Sequence, residues 1–171
     1  CVDVDHHKGL STIINKLIEK GHKRIGFLTR SYAVQACWSY RRYSAFNDQL
    51  IRKSIPLDEA DVINVFPDRL LSPKESIEEA IKRTKEGVTA WVCAADHVAY
   101  DLITSLEMNK IKVPKEVSVV GFDGISSPSK KHKLSTIKIP HRSIGYNATK
   151  RLYEIIENPY DKNQLISIKG E

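Results

Sequence analysis

The stretch that decides the fold is VPKEVSVVGFDG, which runs from Val113 to Gly124. It joins a loop to a short apolar strand, rich in β-branched residues from Val117 to Val120, and it closes with a carboxylate. We expect Asp123 to lie just past the carboxyl end of that strand, which is where open α/β sheets bind their ligands. Gly121 predicts either a turn or a close approach of the backbone to another group.

Apolar segments and helical segments alternate along most of the chain. Gly21 is typical of a helix C-terminus, and Ser72-Pro73 is typical of a helix start with a serine N-cap. Other predicted elements are strands at Ile25 to Leu28, Val62 to Phe66 and Ala90 to Ala94, and helices from about Val34 to Arg52 and from Asp96 to Asn109. Short apolar strands joined by helices indicate an α/β fold, a parallel sheet with helices on both faces.

Composition indicates a folded, soluble domain. The chain has 171 residues, of which 41% are hydrophobic and 28% charged, and no apolar run approaches the roughly 18 residues of a membrane helix. The net charge of +6 is spread over several segments without interleaved aromatics, so it predicts solvated faces and not a nucleic-acid surface. Three cysteines, two of them in apolar or aromatic settings at Cys37 and Cys93, predict no disulfide framework and a reducing cytosol.

Residue patterns of catalysis, metal binding and cofactor binding are missing from the sequence. It has no GxSxG motif, no phosphate-binding glycine loop and no paired carboxylates, and Asp96-His97 is not a dyad by sequence adjacency alone. His6-His7 predicts a solvated strand end in preference to a metal site. We therefore expect no enzyme activity, no metal and no cofactor.

Five motifs, in order and at the right spacing, resemble LacI/GalR-type bacterial transcription repressors. They are GHKRIGFL at 21–28, RYSAF at 42–46, AADHVAYDLI at 94–103, VPKEVSVVGFDG at 113–124 and LSTIKIPHRSIGYNATKRL at 134–152. The resemblance implies the fold of type I periplasmic binding proteins, in which two Rossmann-like subdomains hold a small ligand. It also implies an N-terminal DNA-binding domain that this chain lacks.

The resemblance divides the chain into four parts. Residues 1–7 resemble the last strand of the N-terminal subdomain and its hinge, and residues 8–140 resemble the C-terminal effector-binding subdomain. Residues 141–160 resemble a return segment that normally lies in the N-terminal subdomain, and residues 161–171 resemble a final strand that crosses back. We expect the helix from Arg142 to Glu157 to lack its usual sheet, so that it packs on a neighbouring chain, docks differently or is poorly ordered. Each of its buried aliphatic side chains would otherwise stabilise the fold by about 1.5–3 kcal/mol.

Two charged residues match the family's ligand-binding positions. Arg42 matches an arginine of the ligand cleft, and a guanidinium suits that role because its planar fork can donate two hydrogen bonds to vicinal hydroxyls or a carboxylate. Asp123 matches an acid that accepts hydrogen bonds from the ligand. The alternatives are a surface arginine and a turn or capping aspartate. Gly124 replaces a second acidic or amide residue that the family often has.

Four further residues are candidates whose roles the sequence leaves open. Asp96 either caps the helix that follows it or contacts the ligand. Phe66 and Tyr32 follow strands, where they either pack in the core and cover loops or form an apolar wall for a sugar. His6 lies at the hinge end of the first strand, another place where the family has cleft residues.

The resemblance predicts the effector-sensing and dimerisation domain of a LacI-type repressor. Its partners would be a sugar or related metabolite, operator DNA through the absent N-terminal domain, and a second copy in a homodimer, in the cytoplasm and without membrane contact. Because this chain would supply one wall of the cleft, we expect its binding of effector by itself to be weak or undetectable. The alternative is a periplasmic solute-binding protein, and an enzyme on a Rossmann-like scaffold is the third interpretation.

Overall fold

The computed structural model describes residues 2–31, 36–127, 133–159 and 166–170. Its strands and helices follow in this order: β1 (Val2–Val4), α1 (His6–Glu19), β2 (Ile25–Leu28), α2 (Cys37–Arg52), β3 (Val62–Ile63), α3 (Pro73–Lys85), β4 (Ala90–Cys93), α4 (Asp96–Met108), β5 (Ser118–Asp123), β6 (Ser135–Lys138), α5 (His141–Glu157) and β7 (Ile166–Ile168). Tyr32, Leu165 and most of the basic loop predicted at 126–133 lie outside the described residues, as does Cys1.

The core is a five-stranded parallel sheet in the order β3-β2-β4-β5-β6. Helices α1 and α2 cover one face, where they bury Phe46 with Phe27, and helices α3 and α4 cover the other, where they bury Leu102 with Trp91. Strands β2 and β4 are buried along their whole length, as their uninterrupted apolar sequence predicts. The α/β fold with helices on both faces is confirmed.

Two strands differ in length from their sequence-based predictions. Strand β5 continues to Asp123 because its last residues pair with β6, so Asp123 ends the strand and does not follow it. Strand β3 ends at Ile63, because Asn64 takes a φ of +62° that breaks the extended backbone. The Asn64 amide then donates to the Thr29 carbonyl, and its oxygen accepts from the Leu71 N–H.

Helix starts agree with the sequence at one place and differ at another. Ser72 caps α3 in a full capping box with Glu75, as predicted. The prediction of a solvated strand end at His6-His7 is wrong, because the Asp5 side chain accepts from the Lys8 N–H and caps α1. His6 therefore opens a helix and is buried, while His7 is exposed.

Strands β1 and β7 form a separate parallel pair, on which α5 packs. Arg151 is the buried residue of α5, and five large apolar side chains of this helix are exposed: Tyr146, Leu152, Tyr153, Ile155 and Ile156. The helix therefore presents an uncovered apolar face. The division into subdomains at 7/8, 140/141 and 160/161 stays a prediction.

The cysteine predictions have different outcomes. Cys93 is buried in β4, and burial raises the pKa of its thiol, which favours the inert protonated form. The apolar setting predicted for Cys37 is wrong, because this first residue of α2 is exposed. Among the described residues, no helix combines the length and the apolar character that crossing a bilayer requires.

Candidate functional site

Arg42 joins the carboxyl ends of two neighbouring strands. It lies on the inner face of α2, one turn after Trp38 and one turn before Phe46, and its side chain is buried. Its Nη1 donates to the carbonyl oxygen of Ala94, directly after β4, at 2.5 Å. Its Nη2 lies 3.0 Å from Oδ1 of Asp123 at the end of β5. The structure thus brings together the two residues that the resemblance assigned to the ligand.

Two aromatic rings hold the guanidinium in place. The Cζ of Arg42 lies 3.9 Å from the ring centroid of Phe122 and 4.7 Å from that of Trp38. Such stacking stabilises a cation that has lost its water, and it restricts the side chain to one position. Burial lowers the pKa of Arg42, and the charge of Asp123 opposes that change. The site therefore contains an ordered donor group before any ligand arrives.

Asp123 has an unusual backbone. Its φ is +127°, a region that side-chain-bearing residues rarely adopt, and Gly124 follows with a φ of +79°. Burial raises the pKa of the Asp123 carboxyl, while the Arg42 charge and its hydrogen bond lower it. The side chain keeps 19% of its surface exposed. Part of the Asp123 side chain is therefore accessible from outside the domain.

His6 lies on the same aromatic ring. Its imidazole is 6% exposed, and its centroid is 5.5 Å from that of Phe122 at an interplanar angle of 49°. Burial, then the charge of Arg42, lowers its pKa from 6.5 to about 4, so the ring is neutral near pH 7. The nearest carboxylate oxygen, on Asp3, is 3.8 Å from Nε2, which is too far for a hydrogen bond.

Unpartnered buried polar atoms concentrate at this place. Within the described ranges, the buried side-chain nitrogens and oxygens without a hydrogen-bond partner are Nδ1 and Nε2 of His6 and Nε of Arg42. Both residues pack against Phe122, next to Asp123. Buried polar groups in native proteins are nearly always paired, so this concentration makes the place a candidate ligand site.

Asp96 does not cap its helix. The N-cap of α4 is Ala95, and Asp96 is the first helical residue, with no exposed surface. One oxygen accepts from the Ile125 N–H and the other from the Thr136 hydroxyl, both at 2.6 Å. The capping alternative is therefore wrong, and contact with a ligand stays a prediction for a carboxylate whose two oxygens already have protein partners.

Phe66 lies among core side chains. Its ring meets that of Tyr43 edge-on at 5.6 Å, and the guanidinium of Arg69 lies 5.3 Å above it. These contacts are those of the core-packing alternative, and its role as an apolar wall stays a prediction. Trp38 and Phe122, the rings that hold Arg42, were not predicted from the sequence. Trp38 could have been found because it lies one helical turn before Arg42, and Phe122 because it is adjacent to Asp123.

Metal ligands are not grouped in the part of the chain that the structure describes. It contains no set of three or more His, Cys, Asp or Glu side chains in a suitable arrangement. The cluster of His6, Arg42, Phe122 and Asp123 offers a hydrogen-bond donor, an acceptor and a neutral imidazole. This combination suits an uncharged ligand with hydroxyl groups, because a hydroxyl both donates and accepts.

Comparisons with known proteins identify the family of the chain. The model of the periplasmic binding protein-like domain matches residues 14–170. The arabinose metabolism transcriptional repressor of Geobacillus stearothermophilus is 28% identical over 160 residues, which cover 92% of this chain and 43% of the repressor. The HTH-type transcriptional regulator RegA of Clostridium acetobutylicum is 32% identical over 156 residues, which cover 91% of this chain and 46% of RegA.

One solved structure is similar over almost the whole chain. It is a sugar-binding transcriptional regulator of the LacI family from Escherichia coli, in complex with phosphate. Its TM-score is 0.76 at 27% identity, and the match covers 98% of this chain and 59% of that one. The chain spans less than half the length of the two curated relatives.

Proposed function

Because this chain belongs to the periplasmic binding protein-like domain family, as the effector-binding domain of LacI/GalR-type regulators, we propose that it senses a sugar or related metabolite for a transcriptional repressor. Because the relatives are transcriptional regulators, we assign the site a role in binding a ligand and no catalytic step. The complete regulator would work in the cytoplasm as a homodimer on operator DNA. DNA binding itself would belong to a domain outside this chain.

The observation that carries the proposal is the group of unpartnered nitrogens beside the Arg42–Asp123 pair. A ligand hydroxyl can donate to the partly exposed Asp123 carboxylate, and neighbouring hydroxyls would pair with the buried Nε of Arg42 and ring of His6 once a covering side chain moves aside. Each partner supplied in this way removes the cost of a buried unsatisfied group, about 1–3 kcal/mol. A polyhydroxylated ligand therefore gains more at this place than at an ordinary surface.

Effector binding would control DNA binding through the angle between two subdomains. A ligand held between this domain and a second one favours one relative orientation, and that orientation changes the affinity of the dimer for its operator. The coupling is reciprocal, so operator DNA changes the affinity for effector by the same factor. This chain alone contributes one side of such a cleft, and its own affinity for a sugar should be weak.

Sugar titration followed by NMR tests the proposal. A panel of L-arabinose, D-ribose, D-glucose and cellobiose is added to the ¹⁵N-labelled chain, with inorganic phosphate as a separate probe. We expect at least one sugar to shift the Nε signal of Arg42 and the ring signals of His6, with low affinity.

The matched variants are Arg42→Gln and Arg24→Gln. Arg24 also forms an ion pair, at 2.6 Å from the buried carboxylate of Asp61, and it belongs to other elements than the candidate site. The Arg42 variant should lose the response to sugar and the Arg24 variant should keep it. Equal sugar responses in the two variants, or no response at Arg42 and His6 to any sugar, would contradict the proposal.

A further inference from the structure

Asp96 is a buried carboxylate that is fully used by the protein itself. It has no exposed surface, and its two oxygens accept from the Ile125 N–H and the Thr136 hydroxyl. Both partners are distant in sequence, since they belong to the loop after β5 and to strand β6. A carboxylate with this arrangement connects the start of α4 to the end of the neighbouring strand.

The segment that Asp96 holds begins directly after Asp123. The Ile125 N–H donates directly to one carboxylate oxygen of Asp96. The Gly124 N–H donates at 3.3 Å to the Thr136 hydroxyl, and that hydroxyl donates to the second carboxylate oxygen of Asp96. The two residues that follow Asp123 are thus both fastened through Asp96. Asp123 itself has a φ of +127°, a conformation that costs energy and persists only when its surroundings impose it.

Gly121 makes room for this connection. A Cβ at that position would lie 2.2 Å from Oδ1 of Asp96, so the carboxylate packs directly against the backbone of β5, two residues before Asp123. The strand is therefore held by Asp96 on both sides of Asp123. The sequence predicted a turn or a close approach at Gly121, and the contact with Asp96 is the physical reason why a glycine is needed there.

We propose that Asp96 is a positioning residue, which holds the strained backbone of Asp123 so that its carboxylate meets Arg42, and which does not contact the effector. This inference rests on the proposed function, because it gives the Arg42–Asp123 pair its importance. It assigns the ligand contact to Asp123 and gives a separate role to the acid at position 96.

The test measures how strongly Arg42 acts on Asp123 when Asp96 is changed. The pKa of the Asp123 carboxyl is followed by ¹³C NMR in four proteins without ligand: the wild-type chain, Arg42→Gln, Asp96→Asn and the double variant. Removal of Arg42 should raise the Asp123 pKa in the wild-type background, because the guanidinium lowers it. In the Asp96→Asn background the same change should be less than half as large, because the two side chains no longer meet.

In each comparison the proteins with and without Arg42 have the same residue at position 96. The direct effect of the Asp96 charge on the pKa of Asp123 therefore cancels. The matched control is Asp61→Asn, which removes another buried carboxylate that accepts two hydrogen bonds, here from Arg24, and which should leave the effect of Arg42 on Asp123 unchanged. Thr136→Val repeats the test without any change of charge, and it decides the question if Asp96→Asn does not fold.

An effect of Arg42 that is equal in the wild-type, Asp96→Asn and Thr136→Val backgrounds would overturn the inference and leave Asp96 with a purely structural role. A sugar that shifts the Asp96 carboxyl signal and breaks its bond to the Ile125 N–H would also overturn it. Because the cycle needs no ligand, failure of every sugar to bind would count against the proposed function and leave the result for Asp96 standing.

Discussion

Mild acid should destabilise this protein through His6. Burial, together with the Arg42 charge, lowers the pKa of this histidine from 6.5 to about 4. The unfolded chain takes up the proton near pH 6.5, so between pH 6.5 and pH 4 the unfolded state holds more protons than the folded state. The free energy of unfolding must therefore fall as the pH drops through this window, and the loss is complete once the pH is below about 4.

The size of the effect follows from the same two pKa values. The separation between 6.5 and about 4 corresponds to about 3 kcal/mol of stability at most, with a slope that approaches about 1.4 kcal/mol for each pH unit. Burial raises the pKa of Asp123, so this residue makes the free energy of unfolding rise as the pH falls. Burial lowers the pKa of His22, which therefore adds to the loss of stability that His6 causes. The contribution of His6 must therefore be isolated by a variant.

The variant is His6→Phe, which keeps a ring on Phe122 and removes the two unpartnered nitrogens. Urea unfolding is measured for both proteins from above pH 6.5 down to pH 4. We expect the variant to be at least as stable at neutral pH and to gain about 3 kcal/mol over the wild type across the window. His7→Gln, at the exposed neighbour, is the control that should follow the wild type. Parallel curves for wild type and His6→Phe would refute the reasoning.

Three further predictions concern other residues. Gly121→Ala should lower the free energy of unfolding by about 1–3 kcal/mol, because the added methyl would lie 2.2 Å from a buried carboxylate oxygen of Asp96. Gly145→Ala has open space on α5 and should raise the free energy of unfolding by up to about 1 kcal/mol. Thermal and urea unfolding of the two variants measures both changes. Asp61→Asn should cost about 1–2 kcal/mol in the same assay, because it weakens the two charged hydrogen bonds that the buried Asp61 accepts from the partly exposed Arg24. A loss below about 0.5 kcal/mol, the size typical of a surface substitution, would contradict this. A thiol reagent should modify the exposed Cys37 in the native protein and reach Cys93 only on unfolding, as peptide mass mapping would report; rapid native labelling of Cys93 would contradict its burial.

The sequence was sufficient for the order of elements and for the class of fold. Short apolar strands such as β2 and β4 and the capping box of α3 depend on neighbours a few residues away, so their patterns are visible in one dimension. Element ends were less certain. The extension of β5 to Asp123 depends on pairing with β6, which no local pattern records.

For the candidate site, sequence motifs identified two residues and missed their surroundings. Arg42 and Asp123 were found by resemblance, and the structure places them 3.0 Å apart. Trp38 and Phe122 were missed, because an aromatic residue at helical or strand spacing looks the same whether it fills the core or holds a cation. The burial of His6 was missed for a related reason, since a polar pair after a strand resembles a solvated end.

Local chemistry in the chain was thus enough to specify a parallel sheet covered by helices, because alternation of apolar strands and amphipathic helices leaves few other ways to bury both faces. Packing in three dimensions decided the roles of individual polar side chains. Asp96 meets Ile125 and Thr136, which are 29 and 40 residues away in the sequence. His6 meets Phe122, which lies even further along the chain. In a parallel sheet the strand ends that form a site come from distant segments, so the partners of a charge exist only after the chain has folded.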